Sequence, residues 1–160
     1  LAAAEHRQRV VHYGIDLEDF DGHERLAYRE KFGLRPTTCA VLFAGRIVEQ
    51  KQPDVVVRVI HSLIQQHGDA LDIHLLVAGD GPLLDDMREY VHQHRLNSQV
   101  TFLGLVNQVN MTGVMAASDV FFMPSKMEGL AISLLEAVAA GLVPVASDVG
   151  GQGEVVVNGT

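Results

Sequence analysis

Five short, nearly unbroken apolar runs punctuate the chain, at residues 39–44, 73–78, 100–103, 120–123 and 143–146. Each predicts a strand, and the continuous run at 39–44 predicts one buried on both faces, since a strand with one wet face would alternate apolar with polar. Between them apolar residues recur at helical spacing. Pro53-Asp54 reads as the first turn of a helix with Val55, Val56, Val59, Ile60, Leu63 and Ile64 on one face. Gly79-Asp80-Gly81-Pro82 leads into a second helix of about a dozen residues, a common length, ending near Arg95. Residues 107–117 predict a helix that buries Val109, Val114 and Met115, and residues 131–140 predict another. Upstream, residues 9–12 are β-like, Tyr13-Gly14-Ile15-Asp16 is a turn, and a short helix over 24–32 is stopped by Gly33. Strands alternating with helices through right-handed crossovers imply an α/β fold, a Rossmann-like doubly wound parallel sheet with helices on both faces.

Composition narrows the classes. A chain of 160 residues, 48% hydrophobic and 20% charged, suits one globular domain that buries about 70% of its extended surface. No apolar run reaches the roughly 20 residues that span a bilayer, and no basic region followed by an apolar stretch opens the chain, so neither a membrane helix nor a signal peptide is expected. Leu1 at the start and the turn-like Asn158-Gly159-Thr160 at the end read as the edges of a piece of a longer protein. The net charge of −8 argues against a nucleic-acid surface, and it makes isolated basic groups informative. The lone Cys39 excludes an internal disulfide and is expected to be a buried, inert thiol. Among the histidines, His92 and His94 are two apart on a helix and face different ways, so no metal site is expected.

Candidate chemistry concentrates in two stretches. Residues 125–137 place Glu128 and Glu136 at the two ends of a segment that runs from a glycine-containing loop into an apolar helix, directly after a strand. If helical throughout, that spacing would separate the carboxyls by roughly 12 Å at ~1.5 Å per residue. Such a pair cannot share a proton; it suits two hydroxyl clusters of one long ligand, with the helix N-terminus between them for a phosphate. The second stretch is Gly45-Arg46-Ile47-Val48-Glu49-Gln50-Lys51, at the exit of the first strand. Gly79-Asp80-Gly81 fails the dinucleotide fingerprint, because Leu84 stands where its third glycine belongs. Asp85 and Asp86 are first-turn carboxylates that favour a helix N-terminus, and Asp119 is a strand-entry residue with no assigned role.

Gly45-Arg46 with Lys51, Gly79-Asp80-Gly81-Pro82, Phe102-Leu103-Gly104, Ser118-Asp119, Glu128-Gly129 with Glu136-Ala137, Gly141 with Pro144, and Gly150-Gly151 with Glu154 stand in collinear order over nearly the whole chain. As a set they resemble the C-terminal, donor-binding half of the retaining glycosyltransferases of family 4, the glycosyl transferases group 1. Tyr13-Gly14-Ile15-Asp16 is similar to the Asn-Gly-Val-Asp that opens this half in many members. The resemblance implies that residues 1–160 form one half of a GT-B fold, cut short at the C-terminus, with the N-terminal acceptor domain absent. It implies sugar transfer, of hexosyltransferase type, from a nucleotide-diphosphate sugar to an acceptor hydroxyl with the anomeric configuration kept. By position, Arg46 and Lys51 would grip the diphosphate and Glu128 the donor sugar, and these three carry the catalytic role. Gly45 and the backbone of Gly129, Leu130 and Ala131 would approach sugar and phosphate, Glu136 the ribose, and Leu105 and Val106 the base.

No cofactor and no metal are implied, since protein cations replace the ion. The donor and the chain's own N-terminal domain are the implied partners. Cytoplasmic location is expected, and any peripheral membrane contact is left to the absent domain; the fragment alone would bind donor without turnover. Two departures stand out: Leu130-Ala131 where many members have Phe-Gly, and Gln52 where a glycine often follows the lysine. Rival readings are another GT-B enzyme, such as a sugar-nucleotide epimerase or a phosphorylase, and a non-catalytic nucleotide-sugar-binding domain.

Overall fold

The structure, a computed structural model, describes residues 14–20 and 25–159. The β-like segment expected at 9–12, Tyr13 and Glu24 lie outside the described residues. The strands are β1 (Cys39–Ala44), β2 (Ile73–Ala78), β3 (Val100–Gly104), β4 (Val120–Met123) and β5 (Val143–Ala146). They form one parallel sheet in the order β3-β2-β1-β4-β5. The helices are α1 (Arg25–Lys31), α2 (Pro53–His67), α3 (Leu84–Gln93), α4 (Gln108–Ala117) and α5 (Ile132–Ala139). No helix among the described residues is long and apolar enough to cross a membrane.

The pleat divides the strands between two cores. Val41 and Phe43 of β1 with Leu75 and Val77 of β2 meet α2 and α3 through Val56, Val57, Ile60, Met87 and Val91. The alternate residues, Leu42, Leu76, Phe121 and Met123 among them, meet α4 and α5 through Val114, Met115, Leu134 and Ala137. Both faces of the central strands are therefore dry, which is why those strands are written as continuous apolar runs. Strand order follows from handedness: β1, β2 and β3 progress one way with their helices on one face, and the chain then returns past β1 to β4 and β5 with its helices on the other.

Two helix faces differ from expectation. On α2 the buried set is Pro53, Val56, Val57 and Ile60, a stripe of i, i+3, i+4 and i+7 spacing, whereas Val59 is 37% exposed because it turns to the side of that stripe. On α4 Val114 and Met115 are buried as expected, but Val109 is 78% exposed. It occupies the first turn, while the helix packs through Thr112 to Met115 and Ala117. Helix α3 stops at Gln93, with Arg95 in left-handed backbone at φ 58° and the Leu96 N–H closing onto Val91 O. A glycine usually marks such a stop, so the sequence alone placed it about two residues late.

Candidate functional site

All five strands point the same way, so the loops after β1, β2, β3 and β4 share one edge of the sheet. The order reverses between β1 and β4, and a crevice beyond the strand ends at such a switch point is the usual ligand site of an open α/β sheet. The β1 exit is held rigidly. Ile47 is fully buried, its N–H donates to Asp80 O at 2.9 Å and its carbonyl accepts from the Leu83 N–H at 3.2 Å. A Cβ on Gly79 would lie 1.9 Å from Gly45 O, so only glycine lets the two exits meet. Arg46 rides on this loop, exposed, and enters no ion pair among the described residues.

The β1 and β4 exits are laced together. The Lys126 N–H donates to Gln50 O at 2.8 Å, Gln50 Nε2 donates to Met127 O at 2.8 Å, and Lys126 Nζ pairs with Glu49 Oε1 at 2.8 Å. Inside this clasp Lys51 Nζ meets Glu128 Oε1 at 2.5 Å, with the two side chains only 15% and 8% exposed. From the other side Gly150, at φ 60°, packs on the same loop: its Cβ would lie 1.9 Å from Glu128 O, and the Gly151 N–H donates to Gly129 O at 2.7 Å. The main chain at Glu128 is thus held on two sides, and the close approach explains the glycine at 150.

Helix α5 starts at Ile132, four residues after Glu128, so the separation expected for a continuous helix from 128 to 136 does not apply. Ala131 precedes the helix in extended backbone, and no side chain caps it. Its methyl is buried in the α4–α5 core, so alanine replaces glycine there without strain. The first N–H groups of α5 have no side-chain cap, the arrangement in which a helix start can accept an anion.

Glu136 sits one turn further along and lines a cavity of about 460 Å³ with Val106, Gln108, Ile132, Gly14 and Asp16. Burial pushes its carboxyl above the usual range. Of the two residues expected near a base, Val106 shares this cavity, whereas Leu105 is 81% exposed and does not line it. The structure therefore brings Lys51 to Glu128 and Val106 to Glu136, and it leaves Arg46 exposed at the same sheet edge. Sequence reasoning missed Gln50, Glu49 and Lys126, whose partners lie 77 positions away.

A more apolar groove of about 440 Å³ runs between α2 and the β1–β4–β5 face, lined by Val59, Leu63, Val120, Phe122 and Val145, and it carries none of the expected site residues. Cys39 lies on its wall, half-buried rather than buried, because β1 begins where the helix cover ends. Burial first, and the Asp119 carboxylate second, push its thiol up.

Residues 24–160 match the sequence profile of the family described as glycosyl transferases group 1. The chain is 31% identical to an uncharacterized glycosyltransferase of Methanocaldococcus jannaschii, over 95% of this chain and 39% of that protein. It is 34% identical to the D-inositol 3-phosphate glycosyltransferase of Jonesia denitrificans, over 94% of this chain and 37% of that protein. It spans about two fifths of the length of these relatives. In fold it superposes on Anabaena Alr3699/HepE, solved in complex with UDP and glucose, with a TM-score of 0.81 at 20% identity, covering 95% of this chain and 41% of that one. The C-terminal domain of the group 1 protein LpcC from Francisella tularensis gives 0.76 at 21% identity, over 91% and 76%. With a doubly wound sheet whose structural neighbours are GT-B glycosyltransferases, and with the family profile matched from residue 24 to the end, the chain belongs to the glycosyl transferases group 1.

Proposed function

We propose that this chain is the donor-binding domain of a retaining, metal-independent, cytoplasmic glycosyltransferase that moves a sugar from a nucleotide-diphosphate sugar to an acceptor hydroxyl. The reading rests above all on the meeting of Lys51 and Glu128 beside an uncapped helix start at the sheet's switch point. Arg46 and Lys51 take the diphosphate, the guanidinium through paired N–H groups and the ammonium as a point charge. Gly45 and the backbone of Gly129, Leu130 and Ala131 let the phosphates and sugar approach. Glu128 accepts from a sugar hydroxyl, Glu136 from the ribose, and Val106 with Leu105 borders the base. As the glycosidic bond breaks, charge grows on the departing diphosphate, and fixed cations with oriented N–H groups stabilise it without a metal ion. A separate N-terminal domain supplies the acceptor, so this domain alone binds donor and does not turn over. The UDP held by Anabaena HepE supports a nucleoside diphosphate as the ligand class.

Titration calorimetry with UDP, UDP-glucose and uridine tests this. Arg46→Ala or Lys51→Ala is expected to weaken UDP by about 1.5–3 kcal/mol, the range for charge-assisted hydrogen bonds, and to leave uridine nearly unchanged. Equal losses for UDP and uridine would place the site elsewhere.

A further inference from the structure

Lys51 already has an anionic partner. Its ammonium touches a protein carboxylate at 2.5 Å, and both side chains are largely shielded from water, where a like charge brought alongside is felt strongly. The main chain that carries Glu128 is held on both sides. The Gln50–Met127 and Lys126–Gln50 bonds hold the loop from the β1 side, and Gly150 with Gly151 holds it from the β5 side. A diphosphate that uses Lys51 therefore meets a carboxylate already seated on it, carried by a loop whose main chain is held in place. Two anions on one ammonium repel each other unless a hydroxyl donor stands between them.

We propose that Glu128 acts as a charge gate: its carboxylate occupies Lys51 in the empty site, so that a bare diphosphate binds weakly and one carrying a hydroxyl-bearing group is favoured. This rests on the donor-site reading above and adds a specificity role within it. A sugar hydroxyl donates to Glu128, turns a repulsive neighbour into an acceptor, and lets the phosphate share Lys51. Once the sugar has left, the repulsion returns, and the gate favours release of the nucleoside diphosphate. Discrimination of this kind works through a clash against the wrong ligand as much as through a contact to the right one.

The test is calorimetry with UDP and with inorganic pyrophosphate on the wild-type chain and on Glu128→Gln, Glu128→Asp and Glu49→Gln. Glu128→Gln should bind UDP and pyrophosphate roughly tenfold more tightly, as expected when a desolvated like charge is removed, while its affinity for UDP-glucose stays level or falls. Glu128→Asp, whose shorter arm draws the carboxylate back, should lie between. Glu49→Gln removes the same formal charge from the exposed Lys126 pair, and less than a twofold change is expected. Weaker or unchanged UDP and pyrophosphate binding in both folded Glu128 variants, with wild-type binding still dependent on Lys51, would overturn the gate alone. Absence of UDP and UDP-glucose binding in wild type and Glu128→Gln alike would overturn the donor-site reading and the gate with it.

Discussion

At the scale of single residues, Gln52 stands where the resemblance leads one to expect a glycine, and its backbone shows what that substitution does. It joins the turn carrying Lys51 to α2 in left-handed backbone, at φ 50° and ψ 56°. A side chain in that conformation costs about 1–2 kcal/mol, which explains why glycine suits the position after the lysine. Gln52→Gly should raise stability in urea unfolding by up to ~1 kcal/mol, the strain relieved less the larger entropy of an unfolded glycine, and leave UDP affinity unchanged. A loss of stability would show that the Gln52 side chain contributes more than its backbone costs. The pattern of residue types made Gln52 visible as an exception. It could not say why, because backbone sign is a property of the turn and not of the residue.

Among elements, the contact between α1 and the sheet accounts for Asp119, which had no role from sequence. Its carboxylate accepts from the Ala40 N–H at 2.8 Å and pairs with both Arg25 and Arg29. The Arg29 side chain is 2% exposed and donates as well to the carbonyls of Ala117, Arg35 and Thr38. Three elements are stapled at the edge of the sheet away from the ligand site. Burial works to raise the Asp119 carboxyl, but the Ala40 N–H and the two guanidiniums outweigh it, and its pKa lies below the ordinary 3.8. A carboxyl lowered in the folded state stabilises fully above its unfolded value, and that contribution is lost as pH falls through the folded value. Asp119→Asn should therefore cost about 2–3 kcal/mol at pH 7, less than a fully buried pair would because Asp119 is partly exposed. The difference from wild type should shrink steadily below pH 4. A gap in urea midpoints that is the same at pH 7 and pH 3 would remove the charge from this account.

Four of the five strands were legible to the residue, with β3 running one residue further to Gly104; burial on both faces writes β1 and β2 as apolar runs, whereas β5 is apolar although Val143 and Val145 are exposed. The proposed donor-site set was legible only as a collinear pattern. The clasp of Gln50 on Met127 and the staple on Asp119 were not legible at all: each joins residues more than 75 positions apart, and nothing local announces the partner.

Taken whole, the molecule sets a local problem against a global one. It carries a net charge of −8, yet the proposed ligand is an anion, and Glu128 neutralises one of the two cations offered to it. At 0.01 M salt the screening length is about 30 Å, larger than the radius of gyration of about 15 Å for a domain of this size, so an approaching diphosphate meets the field of the entire chain. At 0.15 M the screening length falls to about 8 Å, and the field is then that of the groups around the crevice, Arg46, Lys51, Glu128 and the α5 N-terminus. Association of UDP, followed by stopped flow with a fluorescent analogue, should therefore quicken severalfold from 0.01 to about 0.15 M salt, as long-range repulsion is screened before local attraction is. Above that range it should level off and then slow. Dissociation should quicken with salt throughout, since the contacts being screened are those of the bound state. Uridine, which carries no charge, should show neither trend. An association rate that falls steadily from the lowest salt would mean that local cations outweigh the net charge at all distances, and that the crevice steers its ligand against the field of the rest of the chain.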